Sequence, residues 1–152
     1  MSASVRGIRL ATVRDVDQLV AIEEVQFPEP WSKRMLKEEI LNLATRRYTV
    51  VVEAKKVLGV LGLMFIDDEC HVNTIATCPG YEGQGIARSL LDEAWPVIVE
   101  KKCRRITLEV AVSNERARRL YGHYGFMPLG IRKKYYQKTG EDALVLVVEL
   151  NG

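Results

Sequence analysis

Apolar residues recur along the chain at two different spacings, and their order predicts a mixed α/β fold. Stretches with helical spacing alternate with short runs rich in Val, Ile and Leu, which are typical of strands. No internal repeat, low-complexity tract or linker interrupts this series. We therefore predict a single domain over residues 1–152.

Four helices are predicted. The first carries apolar residues at helical spacing over 16–22, and the second runs from a Ser32 N-cap to about residue 42. The third opens at Ile86 and continues to about residue 98, and Pro96 is expected to kink it because proline lacks the N–H donor. The fourth begins after Asn114 and ends at Gly125.

Seven strands are predicted between and after these helices. The segment 54–56 separates two apolar, β-branched runs, so a hairpin is the simplest interpretation there. The strand after the fourth helix is expected over 126–129 and again near 135–136. The predicted strands are 8–11, 48–53, 57–66, 70–76, 105–110, 126–129 with its continuation, and 143–150.

Composition excludes several classes of protein. Hydrophobic residues make up 47% and charged residues 28%, which is typical of soluble globular proteins. The apolar runs are too short to span a bilayer, and the first residues lack a signal-peptide pattern, so we expect a cytoplasmic protein without a membrane partner. A net charge of +2 gives no reason to expect direct nucleic-acid binding.

The cysteines and histidines show no metal-site spacing. Cys70, Cys78 and Cys103 are odd in number and lack paired two-residue spacing, so we expect reduced thiols that mostly pack in the interior. His71 and His123 are isolated from each other and from the cysteines, and we expect ordinary polar roles for both. The sequence therefore predicts no metal.

The most informative segment is residues 74–88, where a strand-like run leads into a glycine-rich turn and a helix opens at once. We call residues 78–85 the glycine turn. Unpaired N–H groups and the macrodipole at a helix N-terminus favour bound phosphate. Glycine turns before helices also serve as tight bends, so the turn alone leaves both interpretations open. The phosphate-binding candidates are Gly83, Gln84, Gly85, Ile86, Ala87 and Arg88.

Further motifs give the chain a family resemblance that covers residues 8–150. It resembles the GCN5-related N-acetyltransferase (GNAT) family, and within it the RimI type, the ribosomal-protein-alanine N-acetyltransferases. The resemblance implies a mixed, mostly antiparallel sheet of about seven strands flanked by about four helices. The motifs are Pro30-Trp31-Ser32, Thr74-Ile75-Ala76, Gly83-Gln84-Gly85-Ile86-Ala87, Leu108-Glu109-Val110 with Ser113-Asn114, Leu120-Tyr121 with Gly125-Phe126, and Arg132 with Tyr135-Tyr136.

The resemblance implies acetyl-CoA as the co-substrate and assigns two catalytic residues. Glu109 matches the family's proton acceptor, although a lone strand glutamate is more often simply solvated. Tyr121 matches the proton donor to the leaving thiolate; otherwise it is a core tyrosine with its hydroxyl at the surface. The spacing to Asn114 favours the catalytic interpretation of Glu109.

Cofactor contacts are also implied by the resemblance. The backbone of Ile75, Ala76 and Thr77 is expected to meet the thioester carbonyl, where family members splay two neighbouring strands. Asn114 matches the side chain that binds the pantetheine arm, but it equally suits a helix N-cap, and both roles are compatible.

Glu82 departs from the family pattern, which has Gln or Arg at this position. A carboxylate near a pyrophosphate is repelled by it. We therefore expect Glu82 to point into solvent, while the backbone amides of 83–87 carry the pyrophosphate and Arg88 offsets the charge.

The acceptor is expected to be a protein N-terminus. Trp31, Tyr135 and Tyr136 resemble residues that flank a peptide groove in protein N-terminal acetyltransferases. The narrower expectation is the N-terminal alanine of a small-subunit ribosomal protein, acetylated directly in a ternary complex. A lysine side chain, a small amine, or a non-catalytic coenzyme A-binding module remain alternatives.

Charged residues near this groove do not separate the alternatives. The basic segment 132–134 suits either a solvated edge strand or the steering of an acidic partner or of the coenzyme's phosphates. Glu23 and Glu24 are expected near the groove, where they meet either a basic ribosomal tail or only water.

Overall fold

The computed structural model describes residues 5–27 and 29–150. Within these residues, seven strands and four α-helices follow one another, with one 3-10 turn at Val13–Asp15 before the first helix. The helices are α1 (Val16–Gln26), α2 (Lys33–Leu41), α3 (Ile86–Glu100) and α4 (Glu115–His123). The strands are β1 (Gly7–Leu10), β2 (Arg46–Glu53), β3 (Lys56–Ile66), β4 (Glu69–Thr77), β5 (Arg105–Ala111), β6 (Met127–Tyr136) and β7 (Glu141–Glu149).

All seven strands form one sheet in the order β1-β2-β3-β4-β5-β7-β6. Every neighbouring pair is antiparallel except β4 and β5, which run parallel. The predicted fold, a mixed and mostly antiparallel sheet with four helices, is confirmed. The parallel pair lies at the middle of the sheet.

The strands β4 and β5 pair over a short distance only. Their three residue pairs are Glu69 with Arg105, Cys70 with Ile106 and His71 with Thr107. Beyond His71, β4 continues to Thr77 and stays paired with β3, while β5 continues beside β7. A wedge-shaped gap therefore opens in the centre of the sheet.

The hairpin predicted between β2 and β3 is confirmed. Ala54 and Lys55 form its turn with φ values of 49° and 70°. Two successive residues with positive φ match the twist of the flanking strands, which explains why so short a loop suffices. Glu53 and Lys56 close the ladder.

The last hairpin differs in detail from the prediction. The strand expected over 126–129 and again near 135–136 is one continuous element, β6, whose pairing with β7 is irregular between Arg132 and Tyr136. Within that irregular stretch Asp142 Oδ1 accepts the Lys134 N–H at 2.8 Å. A side chain thus replaces a ladder hydrogen bond, which the apolar pattern cannot reveal.

Two apolar cores lie on opposite faces of the sheet. Val50 belongs to the core covered by α1 and α2, and its neighbour Val51 belongs to the core covered by α3 and α4. Successive strand residues point to opposite faces, so the run of apolar residues in β2 serves both cores. Helices on both faces explain why the central strands lack polar alternation.

A glycine in β3 positions the start of α3. A Cβ at Gly59 would lie 2.5 Å from Ile86 Cγ2 and 3.2 Å from the Ala76 carbonyl oxygen. Only a residue without a side chain allows α3 to begin this close to the sheet. Gly59 therefore fixes the position of the glycine turn.

The cysteines are free: Cys70 and Cys103 are buried, and Cys78 is half-buried. The helix α3 extends through Pro96 to Glu100, and the kink there stays a prediction. Within residues 5–27 and 29–150 no helix has the length and apolar character needed to cross a membrane. The same residues contain no cluster of side chains suited to hold a metal ion.

Candidate active site

The gap between β4 and β5 opens into a cleft of about 340 Å³, which we call the central cleft. Residues from both faces of the sheet line it, because the gap leaves the two faces connected. Seven of the candidate site residues predicted from the sequence are among them. Its lining comprises Gln26, Phe27, Glu29, Trp31, His71, Val72, Asn73, Thr74, Ile75, Leu108, Glu109, Val110, Ala111, Asn114, Ala117, Tyr121, Tyr135 and Tyr136.

Glu109 lies in the cleft on β5 and its side chain is only 14% exposed. Its Oε2 is 3.0 Å from His71 Nε2, and its Oε1 is 3.7 Å from Arg132 Nη1. The hydrogen bond from His71 lowers the pKa of this carboxyl and outweighs the opposing effect of burial. Glu109 is therefore an ionised, partly desolvated carboxylate rather than a solvated strand residue.

Tyr121 lies on α4 and is buried, with 4% of its surface exposed. Its ring packs edge-on against Phe126 at a centroid distance of 5.7 Å. Burial raises the pKa of its phenol above the ordinary value. The hydroxyl is thus held in its protonated form beside the cleft.

A β-bulge shapes the β4 side of the cleft. Gly62 pairs with Thr74 and Leu63 pairs with Val72, which leaves Asn73 as the extra residue. The Asn73 side chain donates to Glu39 Oε1 at 2.7 Å. Beyond the bulge β5 has diverged, so every second backbone N–H and C=O of β4 faces the gap rather than a strand.

The environment of Glu23, which lies behind β4, differs from the expectation. Glu23 is fully buried and accepts a hydrogen bond from Thr74 Oγ1 at 2.9 Å, so it meets neither solvent nor a basic tail. Its helical position places it on the sheet-facing side of α1. Burial raises its pKa to about 7. Glu24, one residue later, is exposed as expected.

Asn114 is the N-cap of α4 and also lines the cleft. Its Oδ1 accepts the Ala117 N–H at 3.2 Å. The side-chain amide remains as a donor at the cleft wall, so the two roles expected of this residue are compatible.

The residues expected to flank a groove come together at the outer end of the cleft. Trp31 is half-buried at the start of α2, and Tyr135 and Tyr136 end β6 with their rings edge-on at 5.1 Å. Glu29 Oε1 accepts the Gln137 N–H at 2.9 Å and joins the segment before α2 to the β6–β7 loop. Burial raises the pKa of Tyr136 to about 12.

The glycine turn lies at the start of α3. Gly83 and Gly85 have φ values of 78° and 77°, a conformation that favours glycine, and open space surrounds both. The first helical bond runs from the Ser89 N–H to the Gly85 carbonyl, so the preceding N–H groups emerge from the N-terminus of α3. Gln84 Oε1 accepts a hydrogen bond from Arg6.

Glu82 is exposed but does not extend into solvent. Its Oε1 accepts the Gly80 N–H at 2.6 Å, and backbone N–H groups lower the pKa of its carboxyl. The carboxylate therefore folds back on its own turn, where it stabilises the bend.

Comparisons with known proteins agree with this geometry. The sequence model of the acetyltransferase (GNAT) family matches residues 16–126. The chain is 38% identical over 149 residues to a protein of Bacillus subtilis named putative [ribosomal protein bS18]-alanine N-acetyltransferase, and the match covers 98% of this chain and 97% of that one. The chain belongs to the GNAT family.

Solved structures extend the likeness to the whole fold. The ribosomal-protein-S18-alanine N-acetyltransferase of Escherichia coli superposes with a TM-score of 0.86 at 25% identity, covering 97% of each chain. Arabidopsis thaliana NAA60, solved in complex with acetyl-CoA, superposes with a TM-score of 0.85 at 18% identity, covering 97% of this chain and 100% of that one. As a GNAT member the protein is an N-acetyltransferase that uses acetyl-CoA, and both expectations are confirmed.

The GNAT fold brings together only part of the site expected from the sequence. Glu109, Tyr121, Asn114 and Ile75 meet in the central cleft with the flanking Trp31, Tyr135 and Tyr136. Ala76, Thr77 and residues 83–88 lie outside its lining, along the end of β4 and at the glycine turn. The candidate site is therefore two adjoining parts, one made of side chains and one of backbone.

The residue that sequence reasoning missed is His71. We expected an ordinary polar role, but its imidazole contacts Glu109 and lines the cleft. No local signal in the sequence marks this role, because the contact depends on which strand lies beside β4 and in what register.

Proposed function

We propose that the protein transfers the acetyl group of acetyl-CoA to the α-amine of a protein N-terminus, specifically the N-terminal alanine of a small-subunit ribosomal protein of the bS18 type. The reaction would take place in the cytoplasm. The observation that carries the proposal is the central cleft, which joins an ionised carboxylate and a protonated phenol to a groove flanked by aromatic residues. The likeness to named bS18-alanine acetyltransferases supports the choice of acceptor.

Glu109 serves as the proton acceptor. An N-terminal amine is largely protonated at neutral pH, and it becomes a nucleophile only after losing that proton. The Glu109 carboxylate takes the proton, directly or through a water molecule, and leaves the amine lone pair free to form the new C–N bond. Its low exposure keeps the transfer away from bulk solvent.

The backbone of β4 stabilises the charge that develops on the carbonyl oxygen of the thioester. Ile75, Ala76 and Thr77 follow the bulge, where β5 has left the strand unpaired on one side. Amides fixed in a sheet need no reorganisation when the charge appears, which is the basis of oxyanion-type stabilisation. Acetyl-CoA itself supplies the activated acetyl thioester.

Tyr121 returns a proton to the leaving sulfur. When the C–S bond breaks, its electron pair stays on sulfur, and the buried phenol donates its proton to that thiolate. Because burial raises the pKa of Tyr121, the phenol enters each cycle protonated. The nitrogen loses its second proton once the C–N bond has formed, and this proton neutralises the Tyr121 phenolate, directly or through water, while Glu109 releases the first proton to solvent.

Donor binding is assigned to the glycine turn, the start of α3 and Asn114 at the wall of the central cleft. The N–H groups of Gly83, Gln84, Gly85, Ile86, Ala87 and Arg88 would hold the pyrophosphate at the N-terminus of α3, and the Asn114 amide would hold the pantetheine arm. All three cysteines lie outside the lining of the central cleft. This supports direct transfer with both substrates bound rather than a route through an acetylated cysteine.

The proposal is tested with two peptides and acetyl-CoA. We expect thiol release, and an acetylated N-terminus by mass spectrometry, with a peptide that begins with the bS18 alanine. The same peptide blocked at its N-terminus but carrying a lysine should give neither signal. Acetylation of that blocked peptide would favour the lysine alternative and contradict ours. Mass spectrometry of cellular N-termini with and without the gene checks the assignment in the cell.

A further inference from the structure

His71 lies at the point where the sheet begins to separate. It forms the last residue pair between β4 and β5, opposite Thr107, and its side chain is 27% exposed. Both nitrogens of its ring have partners: Nε2 is 3.0 Å from Glu109 Oε2, and Nδ1 is 2.9 Å from Thr107 Oγ1. No part of the proposed proton transfers uses this residue.

The contact with Glu109 has a defined direction. An ionised carboxylate only accepts hydrogen bonds, so Nε2 carries a proton and donates it to Oε2. Glu109 Oε1 lies 3.7 Å from Arg132 Nη1, beyond hydrogen-bond distance. One oxygen of Glu109 is therefore occupied by His71, while the other retains its capacity to accept a proton.

The second contact tolerates two charge states of the ring. A hydroxyl both donates and accepts, so Thr107 Oγ1 can donate to a neutral Nδ1 or accept from a protonated one. A backbone carbonyl in that position would fix a proton on Nδ1. Imidazole is the side chain that ordinarily gains and loses a proton near neutral pH. Both hydrogen bonds are thus compatible with either charge state of an imidazole.

We propose that His71 is a positioning residue for Glu109: its imidazole holds the carboxylate in the cleft, and the charge of the ring sets how readily that carboxylate accepts a proton. The proposal rests on the proposed function. With a neutral ring, Glu109 is oriented and basic. With a charged ring, the two groups form an ion pair, the ionised carboxylate is stabilised, and its basicity falls.

Other charged and titratable groups also face this pair. Arg132 on β6 lies 3.7 Å from the other oxygen of Glu109, and the cleft is further lined by Tyr135 and Tyr136 and by Glu29 from the segment before α2. A guanidinium keeps its charge near neutral pH, whereas an imidazole ordinarily gains or loses one there. Of these groups, His71 is the one within hydrogen-bond distance of Glu109.

The first test separates orientation from charge with two substitutions. His71→Ala removes both, and we expect kcat for the alanine peptide to fall about tenfold to a hundredfold with little change in the KM for acetyl-CoA. His71→Gln retains an N–H donor, so it should restore most of kcat. It should also lose less activity than the wild type as the pH is lowered from about 8 to 6, since its amide never becomes charged.

The second readout does not depend on activity. The Glu109 carboxyl is followed by carbon-13 NMR during a pH titration. Its pKa is expected to rise in His71→Ala, because the hydrogen bond from His71 that lowers it has been removed. His123→Ala is the matched control, since His123 is exposed on α4 and does not line the central cleft. It should leave kcat, the pH profile and the Glu109 titration unchanged.

The outcomes are distinguishable. Wild-type kcat in His71→Ala, or a Glu109 pKa that does not move, would overturn the inference while leaving the proposed function intact. A wild-type protein that leaves the alanine peptide unmodified would contradict the proposed function, and the Glu109 titration would still decide whether His71 governs that carboxyl.

Discussion

The glycine turn and the central cleft differ in what they offer a ligand: the turn offers exposed backbone, and the cleft offers buried side chains. The glycine turn is one continuous segment that leads into the N-terminus of α3, and its residues 82–85 are exposed. The central cleft is assembled from side chains of two helices, three strands and the segment between α1 and α2, and its chemistry depends on burial. Substitutions in the two regions should therefore have different effects. Changes in the glycine turn should weaken the binding of acetyl-CoA, and changes in the central cleft should mainly lower kcat.

The largest expected effect is on the cleft. Glu109→Gln keeps the size of the side chain but removes the proton acceptor, so we expect kcat to fall by about a hundredfold or more. Isothermal titration calorimetry should give an unchanged Kd for acetyl-CoA. Glu100→Gln, at the exposed end of α3, is the control with full activity. A large loss of acetyl-CoA affinity in Glu109→Gln would break the separation between the two regions.

The next effect belongs to the turn. Gly85→Ala places a side chain at a φ of 77°, which costs roughly 1–2 kcal/mol per residue in the left-handed region. We expect acetyl-CoA to bind about tenfold more weakly, with the peptide KM little changed. Gly130→Ala provides the control, because Gly130 has open space and a φ outside that region. Equal losses in both variants would show that conformation at the turn is not the cause.

A third effect concerns stability beneath the cleft. Because burial raises the pKa of Glu23 from 4.5 to about 7, the folded protein binds this proton more tightly than the unfolded chain does. The associated stability is fully present below pH 4.5 and is lost as the pH rises through about 7. Glu23→Gln has no such proton, so its free energy of unfolding relative to wild type should increase by about 1–3 kcal/mol between pH 5 and 8.

Urea denaturation at the two pH values measures this difference. Glu24→Gln, the exposed neighbour, should show no comparable dependence. If both variants behave alike, the pKa of Glu23 is not raised in the folded protein, and its burial adds nothing to the pH dependence of the free energy of unfolding.

The smallest effect is expected at Glu82. Its carboxylate is already bound to the Gly80 N–H within the turn, so Glu82→Gln should change the Kd for acetyl-CoA less than about threefold, as is usual for exposed charges. Calorimetry at low and moderate salt measures it. A many-fold tighter complex would mean that the carboxylate opposes the pyrophosphate after all.

The same contrast explains what the sequence could predict. Glycine spacing and helix caps are local signals, so the glycine turn, the Ser32 cap and the start of α3 follow from the sequence directly. Side-chain partners across strands are not local. The contact between His71 and Glu109 joins residues 38 positions apart in the chain, and it depends on the register in which β4 meets β5.

Buried polar residues are the other feature that the sequence does not predict. Glu23 lies at a helical position that the sequence leaves open to either solvent or the interior, and only the packing of α1 on the sheet buries it against Thr74. The Asn73 bulge is equally invisible, because an extra residue in a strand changes no local propensity. Family resemblance supplied Glu109 and Tyr121, whose residue types alone would not have identified them.

The separation of β4 and β5 also affects how substrates reach the central cleft and how products leave it. Phe27 and Trp31 line the cleft from the α1–α2 face, whereas Ala117 and Tyr121 line it from the α4 face. A cleft lined from both faces of the sheet can receive the donor and the acceptor from opposite sides, so that each can bind or leave without displacing the other.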